Sequence, residues 1–196
     1  MVELKKSRYH GDLPNALVEA GIALLQEAGM SGLTLRKAAQ RAGVSHAAPA
    51  HHFSGLSGIL TAIAIEAFKR ITATMVRHRD LQTKIPFDRL NGLCDGYIEF
   101  AKNHQPLFQV MFNAEEVQRG DPAFVQASQA AYLLLREACL PFSKNNLPDR
   151  ELEHAVWSTL HGYAMLGMQS KQNPASPRFE APRFEVHLQR LLQISD

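Results

Sequence analysis

The sequence predicts an all-α fold of about nine helices. Apolar residues recur along the 196 residues at intervals of three and four, the spacing that places them on one face of an α-helix. Glycine and proline lie between these periodic segments, where helices end and begin. No segment alternates apolar and polar residues as a half-buried strand does. A hydrophobic content of 45% is ordinary for a globular protein with a core of its own.

The first helix is expected to begin near Asp12 and to end at Gly29. Pro14 is tolerated in its first turn, because the backbone N–H groups of that turn have no partner within the helix. Apolar residues at helical spacing form the stripe that this helix would bury. They are Leu13, Ala16, Leu17, Ala20, Leu24 and Ala28.

Residues 32–53, GLTLRKAAQRAGVSHAAPAHHF, are typical of two short helices joined by a glycine turn. In a helix-turn-helix of this kind the second helix lies in the DNA major groove. Thr34 is expected to cap the first helix, because its hydroxyl can accept from backbone N–H groups of the first turn. Gly43 takes the position where the chain leaves a helix through positive φ, and Ser45 is expected to cap the second helix. The alternative interpretation is an ordinary helical hairpin.

Six further helices are expected after this segment. They begin at about Ser57, Pro86, Leu107, Pro122, Pro148 and Phe184. The sequence Gly120-Asp121-Pro122 places a glycine past one helix end, then a cap, then a proline at the first position of the next helix. The first of the six would run to about Arg79 and join the N-terminal segment to the body, and the helix beginning at Leu107 would run to Val117.

The charge distribution favours a specific partner over a general basic surface. The net charge is +2, and the first 55 residues carry six basic and four acidic side chains, so this part holds the whole excess. A small basic bias suits recognition of a defined DNA site, where groove contacts supplement phosphate attraction. Cys94 and Cys139 are too few for a disulfide framework, and we expect them to be buried thiols of a cytoplasmic protein.

Several function classes find no support in the sequence. Residues 1–12 are polar and charged, so we expect no secretory signal, and no apolar run approaches the roughly 20 residues of a membrane span. We expect no enzyme and no cofactor, because there is no GxGxxG loop, no nucleophile with a nearby base and no carboxylate pair. A GxxG at 55–58 lacks the strands of an RNA-binding KH domain. Adjacent histidines on a helix point about 100° apart, so we expect no metal site at His51 and His52.

Two groups of motifs resemble one known family. HGDL at 10–13, TLRKAAQRAGVS at 34–45 and HF at 52–53 resemble the N-terminal domain of TetR-family transcriptional regulators. WSTLHG at 157–162 and GYIEFAKNHQPLFQVMF at 96–112 resemble the WHG-type C-terminal domain often attached to it. The resemblance covers nearly the whole chain. It implies a DNA-binding domain at residues 1–55 and a ligand-binding and dimerisation domain at residues 56–196.

The resemblance also implies which residues contact DNA. The second helix of the motif, about His46 to His52, would enter the major groove, with basic residues on the phosphates. The candidates are Arg8, Thr34, Arg36, Arg41, Ser45, His46, Ala47, His51 and His52. The sequence departs from the family pattern at three positions. Many members have a tyrosine where Ala50 stands, a lysine where Leu56 stands, and an acidic residue where Lys37 stands.

The body is rich in large, adaptable apolar side chains. An effector cavity needs such a lining with one or two polar groups, although a set like this at helical spacing is more often plain core. The candidate ligand-binding residues are Tyr97, Phe108, Met111, Tyr132, Trp157, His161 and Met165. Trp157, His161 and Met165 share one face of a helix. His161 is either the polar group of the cavity or a satisfied core histidine.

We therefore predict a homodimeric, ligand-responsive regulator that represses transcription. Its partners would be double-stranded DNA, bound at a pseudo-palindromic operator, and a small apolar or aromatic effector. The alternative is a helical small-molecule-binding protein whose N-terminal part no longer recognises DNA efficiently, because Ala50 and Leu56 remove contacts typical of the family.

Overall fold

A computed structural model of the protein describes residues 12–172 and 182–193. Over these ranges the all-α prediction is confirmed, with eight α-helices, three short 3-10 turns and no strand. The helices are α1 Leu13–Gly32, α2 Leu35–Ala42, α3 Gly55–Asp80, α4 Pro86–Asn103, α5 Gln105–Asn113, α6 Pro122–Cys139, α7 Arg150–Gln172 and α8 Phe184–Leu192. The 3-10 turns are Ala48–His51, Leu140–Phe142 and Lys144–Asn146. The count is eight because the segment predicted as a ninth helix, 46–52, contains only the first of these turns.

The start of α1 is as predicted and its end is not. Asp12 caps the helix, since its Oδ1 accepts from the backbone N–H of Asn15 at 3.2 Å. At Gly29 the backbone leaves the helical region, with φ 65° and ψ −165°, but helical hydrogen bonding resumes and the element ends only at Gly32. The glycine therefore introduces a break near the helix end, because a residue without Cβ adopts positive φ at little cost.

The described residues form two compact units. The first contains the chain up to Ala67 together with Pro106–Val125, and so holds α1, α2, the start of α3, all of α5 except Gln105, and the start of α6. The second contains Phe68–Gln105 and the residues from Gln126 onward, and so holds the rest of α3, α4, most of α6, α7 and α8. The boundary predicted between residues 55 and 56 divides a DNA-binding domain from a ligand-binding and dimerisation domain. This functional division stays a prediction.

In the first unit a glycine lets α1 lie close to α3. A Cβ at Gly21 would lie 2.8 Å from Cδ1 of Ile63, too short for any carbon–carbon contact. Leu17, Leu25 and Ile59 are fully buried in the core that results. α5 is shorter than predicted, because Arg119 donates to the carbonyl oxygens of Met111 at 3.0 Å and Phe112 at 2.9 Å and so satisfies the end of the helix before Val117.

In the second unit α4 is the central element, and it packs against α7 and α8. It also lies close to α3, since a Cβ at Gly96 would lie 2.8 Å from the Cα of Met75. The inward face of α7 carries Val156, Leu160 and Ala164, all buried. None of the helices in the described ranges is long and apolar enough to cross a membrane.

Candidate functional site

The first helix of the predicted DNA-binding motif forms as expected. Thr34 caps α2, with its Oγ1 accepting from the backbone N–H of Lys37 at 3.2 Å. Gly43 ends α2 with φ 70° and ψ 30°, and its N–H donates to the carbonyls of Ala39 and Gln40. Ala38 and Ala39 are fully buried, and α2 packs against α1. Small side chains here allow the close approach that the motif requires.

The second element of the motif corrects the prediction. A 3-10 turn, Ala48–His51, stands where an α-helix was expected over 46–52, and no side chain in the described part of the chain caps it. Pro49 is the cause. In an α-helix the carbonyl of Ser45 would accept from the N–H of residue 49, which proline lacks, and it accepts instead from Ala48 at 3.0 Å. The predicted side-chain cap by Ser45 is therefore wrong, and its backbone carbonyl begins the turn.

Most of the predicted contact residues are exposed to solvent. Thr34, Arg36, Ser45, His46, Ala47, His51 and His52 are all exposed. Pro49 is buried beneath them, and its carbonyl accepts from the N–H groups of His52 at 3.1 Å and Phe53 at 2.8 Å. This anchors the exposed face from below. Arg8, another of the predicted contact residues, lies outside the described residues.

Arg41 has a partner that the sequence did not indicate. Its two terminal nitrogens donate to the two carboxylate oxygens of Glu27, both at 2.6 Å, so the pair joins α1 to α2. The Arg41 guanidinium holds the pKa of Glu27 below its ordinary value through this hydrogen bond. A phosphate contact by Arg41 would have to break the pair. No such partner is found for Arg36 within 12–172 and 182–193, and the two arginines are therefore not equivalent.

A polar network that the prediction missed joins the start of α3 to the segment after α5, within the first unit. Thr61 is buried, and its Oγ1 accepts from the N–H of Gln118 at 2.9 Å. Ser57 Oγ donates to the carbonyl of Glu116 at 2.5 Å and accepts from the Gln118 side chain at 3.1 Å. We call these four residues the α3 tie. No sequence signal points to it, because its halves are 57 to 61 residues apart.

A second candidate site lies in the second unit, where α4, α6 and α7 bring four of the predicted ligand-binding residues together. Tyr97 and Trp157 have ring centroids 5.5 Å apart, and Tyr132 and Trp157 have centroids 6.3 Å apart, both edge to face. The hydroxyl of Tyr97 lies 2.8 Å from Nδ1 of His161. We call Tyr97, Tyr132, Trp157 and His161 the aromatic cluster.

The remaining predicted ligand-binding residues are placed differently. Phe108 and Met111 are fully buried in the first unit, on α5. Met165 is half-buried on α7, one turn beyond His161. Helical spacing in the sequence predicts that these side chains are buried, but it does not show which of the two units each one packs into.

His161 is held as a neutral, hydrogen-bonded group. Burial lowers the pKa of its imidazole and raises the pKa of the Tyr97 hydroxyl well above its ordinary value. Both groups therefore lack charge near neutral pH. A donating Tyr97 hydroxyl leaves the imidazole proton on Nε2. His161 is thus bound to a core tyrosine on one side, and of the two interpretations the satisfied histidine accounts for this contact.

Glu153 contacts the aromatic cluster through Tyr132, and the sequence did not single it out. Its side chain is only 2% exposed, and its Oε2 accepts from the Tyr132 hydroxyl at 2.5 Å. Within the described ranges Oε1 is buried without a hydrogen bond, and it lies 3.7 Å from Nε of Arg136. A signal was present in the sequence. Glu153 stands three residues before Val156 and seven before Leu160, at the spacing of the buried stripe of α7.

Comparison with known proteins gives matches to both parts of the chain. Residues 90–191 match the family model described as the tetracyclin repressor-like C-terminal domain, and residues 17–63 match that of the tetR family of bacterial regulatory proteins. The chain is similar to the HTH-type transcriptional regulator BetI of Burkholderia thailandensis, with 26% identity over 140 residues, 71% of this chain and 72% of that protein.

Solved structures share the fold over nearly the full length. A protein of unknown function from Rhodococcus sp. RHA1 superposes with a TM-score of 0.75 and 25% identity, covering 96% of this chain and 98% of that one. The TetR family transcriptional regulator PfmR of Thermus thermophilus gives a TM-score of 0.56 and 18% identity, covering 90% and 94%. The second likeness concerns the fold alone.

Proposed function

The chain belongs to the TetR family of bacterial transcriptional regulators, and we propose that it represses transcription from a pseudo-palindromic operator until a small molecule releases it. Regulators of this family bind DNA and ligands and form dimers. The observation that carries the proposal is the structure of residues 34–53 in the first unit, which we call the head. A capped α2, a left-handed Gly43 and a turn anchored by buried Pro49 present one exposed polar face.

The exposed face defines the proposed DNA contacts. Arg36 would bind phosphate, whereas His46, His51 and His52 would reach base edges or phosphates from the turn. Ala47 offers a methyl group for contact with thymine. Ala50 and Leu56 are also exposed and supply neither a hydrogen bond nor a charge. Sequence recognition would therefore depend on the three histidines more than in relatives with a tyrosine and a lysine at these positions.

A ligand changes DNA affinity only if it binds one state of the head better than another. The α3 tie supports a route within the first unit. α3 begins four residues after the 3-10 turn Ala48–His51, and the tie fixes its first turns to the segment that follows α5. A displacement of α5 would then be transmitted to the start of α3 through these hydrogen bonds.

We place the effector against the aromatic cluster of the second unit. Trp157 and Tyr132 are half-buried, so their rings can exchange water for a ligand, and His161 and Glu153 provide polar atoms nearby. Aromatic and apolar ligands suit such a lining. Phe108 and Met111 would act as core of the first unit rather than as ligand contacts.

A second copy of the chain would complete the operator-binding form. On α7 Leu166 is 53% exposed, and on α8 Val186 is 36% exposed, although both are large apolar side chains. Neighbouring helices with unpaired apolar groups are what a two-fold interface buries. The homodimer would therefore form along the outward faces of α7 and α8.

The deciding experiment is a gel shift with the DNA upstream of the protein's own gene, against a scrambled duplex of equal length, at several salt concentrations. Preference for the native duplex that survives raised salt is expected for an operator. Equal, salt-sensitive binding to both would favour the alternative, a ligand-binding protein whose head no longer recognises a sequence.

A further inference from the structure

We propose that the effector is a protonated organic amine, with its ammonium group bound by Glu153 and its apolar part against the rings of Trp157 and Tyr132. The inference rests on the proposed function, and it changes the polar group of the site from the neutral His161 to a carboxylate. The ligand class changes with it, from a neutral aromatic molecule to a cation.

The first observation is the state of the carboxylate. Glu153 is 1% exposed as a residue, and a charge this deeply buried requires partners for both oxygens. Oε2 has one, the Tyr132 hydroxyl, but no described residue gives Oε1 a hydrogen bond. An acceptor without a hydrogen bond on a buried carboxylate carries a cost of lost hydration, which the ion pair with Arg136 at 3.7 Å offsets only in part. A ligand N–H directed at Oε1 would recover that cost, whereas a ligand without a donor would not.

The second observation is the aromatic surface beside this oxygen. Trp157 follows Glu153 by one helical turn on α7, and Tyr132 faces both of them from α6. Tyr97 backs the tryptophan from α4. Indole and phenol rings attract a cation placed within about 6 Å of their centres, and Trp is the strongest of the aromatic residues in this respect. Carboxylate and rings together select for positive charge.

The third observation is the position of Arg136, a cation close to Oε1 of Glu153. Arg136 lies one turn beyond Tyr132 on α6, with its Nε 3.7 Å from Oε1, too far for a hydrogen bond. Its side chain is 41% exposed, so it can turn into water at little cost. Arg150 is the other cation whose field reaches Tyr132. Arg136 thus approaches the carboxylate without satisfying it, and it would compete with a ligand cation for Oε1.

Neutral and anionic ligands fit the cluster less well. The Tyr97 hydroxyl already engages Nδ1 of His161, so this pair offers a ligand less than Oε1 of Glu153 does, which has no hydrogen bond from the described residues. An anion would meet Glu153 at short range, together with Asp149, which caps α7 through its Oδ1. Repulsion from two carboxylates would oppose binding of any carboxylate or phosphate.

The test uses three probes of similar size: benzylammonium, benzyl alcohol and benzoate. Trp157 is the only tryptophan in the chain, so the intrinsic fluorescence of the purified full-length protein reports binding at the cluster directly. We expect benzylammonium to bind about tenfold or more tightly than benzyl alcohol, as one charge-assisted hydrogen bond and a cation–π contact imply. Benzoate should bind most weakly. Equal affinity for benzylammonium and benzyl alcohol would overturn the inference.

Two variants locate the effect. Glu153→Gln keeps the size of the side chain and an oxygen for the Tyr132 hydroxyl, and it should abolish the preference for benzylammonium over benzyl alcohol. Arg136→Met removes the competing cation at an exposed position, and it should tighten benzylammonium severalfold without affecting benzyl alcohol. If Glu153→Gln does not fold, Arg136→Met decides alone, and unchanged benzylammonium affinity in it would overturn the inference.

Failure of this inference and failure of the proposed function give different results. Binding to the DNA upstream of the gene is measured without any amine, so an absent amine preference leaves it intact. A protein that prefers benzylammonium but shows no sequence preference on DNA would retain the amine site and refute the repressor.

Discussion

The unequal placement of two arginines in the head leads to a prediction about DNA binding. Arg36 is exposed with no partner in the described ranges, whereas Arg41 is held by two hydrogen bonds to Glu27. If Arg36 contacts a phosphate, Arg36→Ala should weaken binding to all sequences alike and flatten the salt dependence. Arg41→Ala should leave that dependence unchanged, because its guanidinium is already engaged within the protein.

The magnitude follows from counterion release. Each phosphate contact on B-DNA contributes about 0.9 to the slope of log affinity against log salt, so two contacts per dimer contribute about 1.8. Between about 50 and 200 mM salt, the wild type should therefore lose roughly twelvefold more affinity than Arg36→Ala does. His46→Ala should behave differently and reduce discrimination at particular base pairs, since base contacts carry the sequence information.

The assay is fluorescence anisotropy with labelled operator and scrambled duplexes at five salt concentrations, for the wild type, Arg36→Ala, Arg41→Ala and Glu27→Gln. Glu27→Gln is the matched control, because it breaks the same ion pair from the other side. Both pair variants should lower the thermal midpoint and keep the wild-type slope. A flattened slope in Arg41→Ala, with a wild-type slope in Arg36→Ala, would refute this assignment of roles.

Three further predictions concern stability and assembly. Thr61→Val keeps the side-chain volume but leaves the Gln118 N–H without its acceptor. It should lower the free energy of unfolding by roughly 1–3 kcal/mol, and the thermal midpoint by roughly 2–4 °C per kcal/mol. Thr61→Ser should retain hydrogen-exchange protection of the Gln118 amide, and equal protection in both variants would contradict the role of this bond. Leu166→Glu should give monomers by light scattering. A charge at Leu188 should instead prevent folding, because this side chain is fully buried within its own chain. If Leu166→Glu keeps the mass of a dimer, the interface lies elsewhere. Burial lowers the pKa of His161 and of His104, so the unfolded chain takes up protons first as the pH falls. The free energy of unfolding should therefore be highest above a pH of about 6.5 and decline below it. His161→Gln should flatten that decline in urea midpoints measured between about pH 8 and about pH 5, and an equal decline in the variant would show that His161 is not responsible.

The sequence determined the features that depend on near neighbours. Asp12 and Thr34 cap the helices that their positions predict, Gly43 takes positive φ, and Asp121 accepts from the N–H groups of Ala123 at 2.8 Å and Phe124 at 3.1 Å. Each of these interactions joins residues no more than four apart, so spacing alone predicts them. The 3-10 turn in place of the second motif helix also has a local cause, because Pro49 lacks the N–H that an α-helix needs at this position.

The tertiary structure decided which helix faces meet, and the functional assignments changed at those contacts. Periodicity shows that Glu153 and Val156 share a face of α7, but only the packing of α6 on that face buries the carboxylate beneath Tyr132. Arg41 finds Glu27 14 residues away, and Thr61 finds Gln118 57 residues away. A helical pattern specifies the direction in which each side chain points and carries no information about the partner in that direction. The polar contacts between helices, on which any ligand response must depend, therefore become visible only in the folded chain.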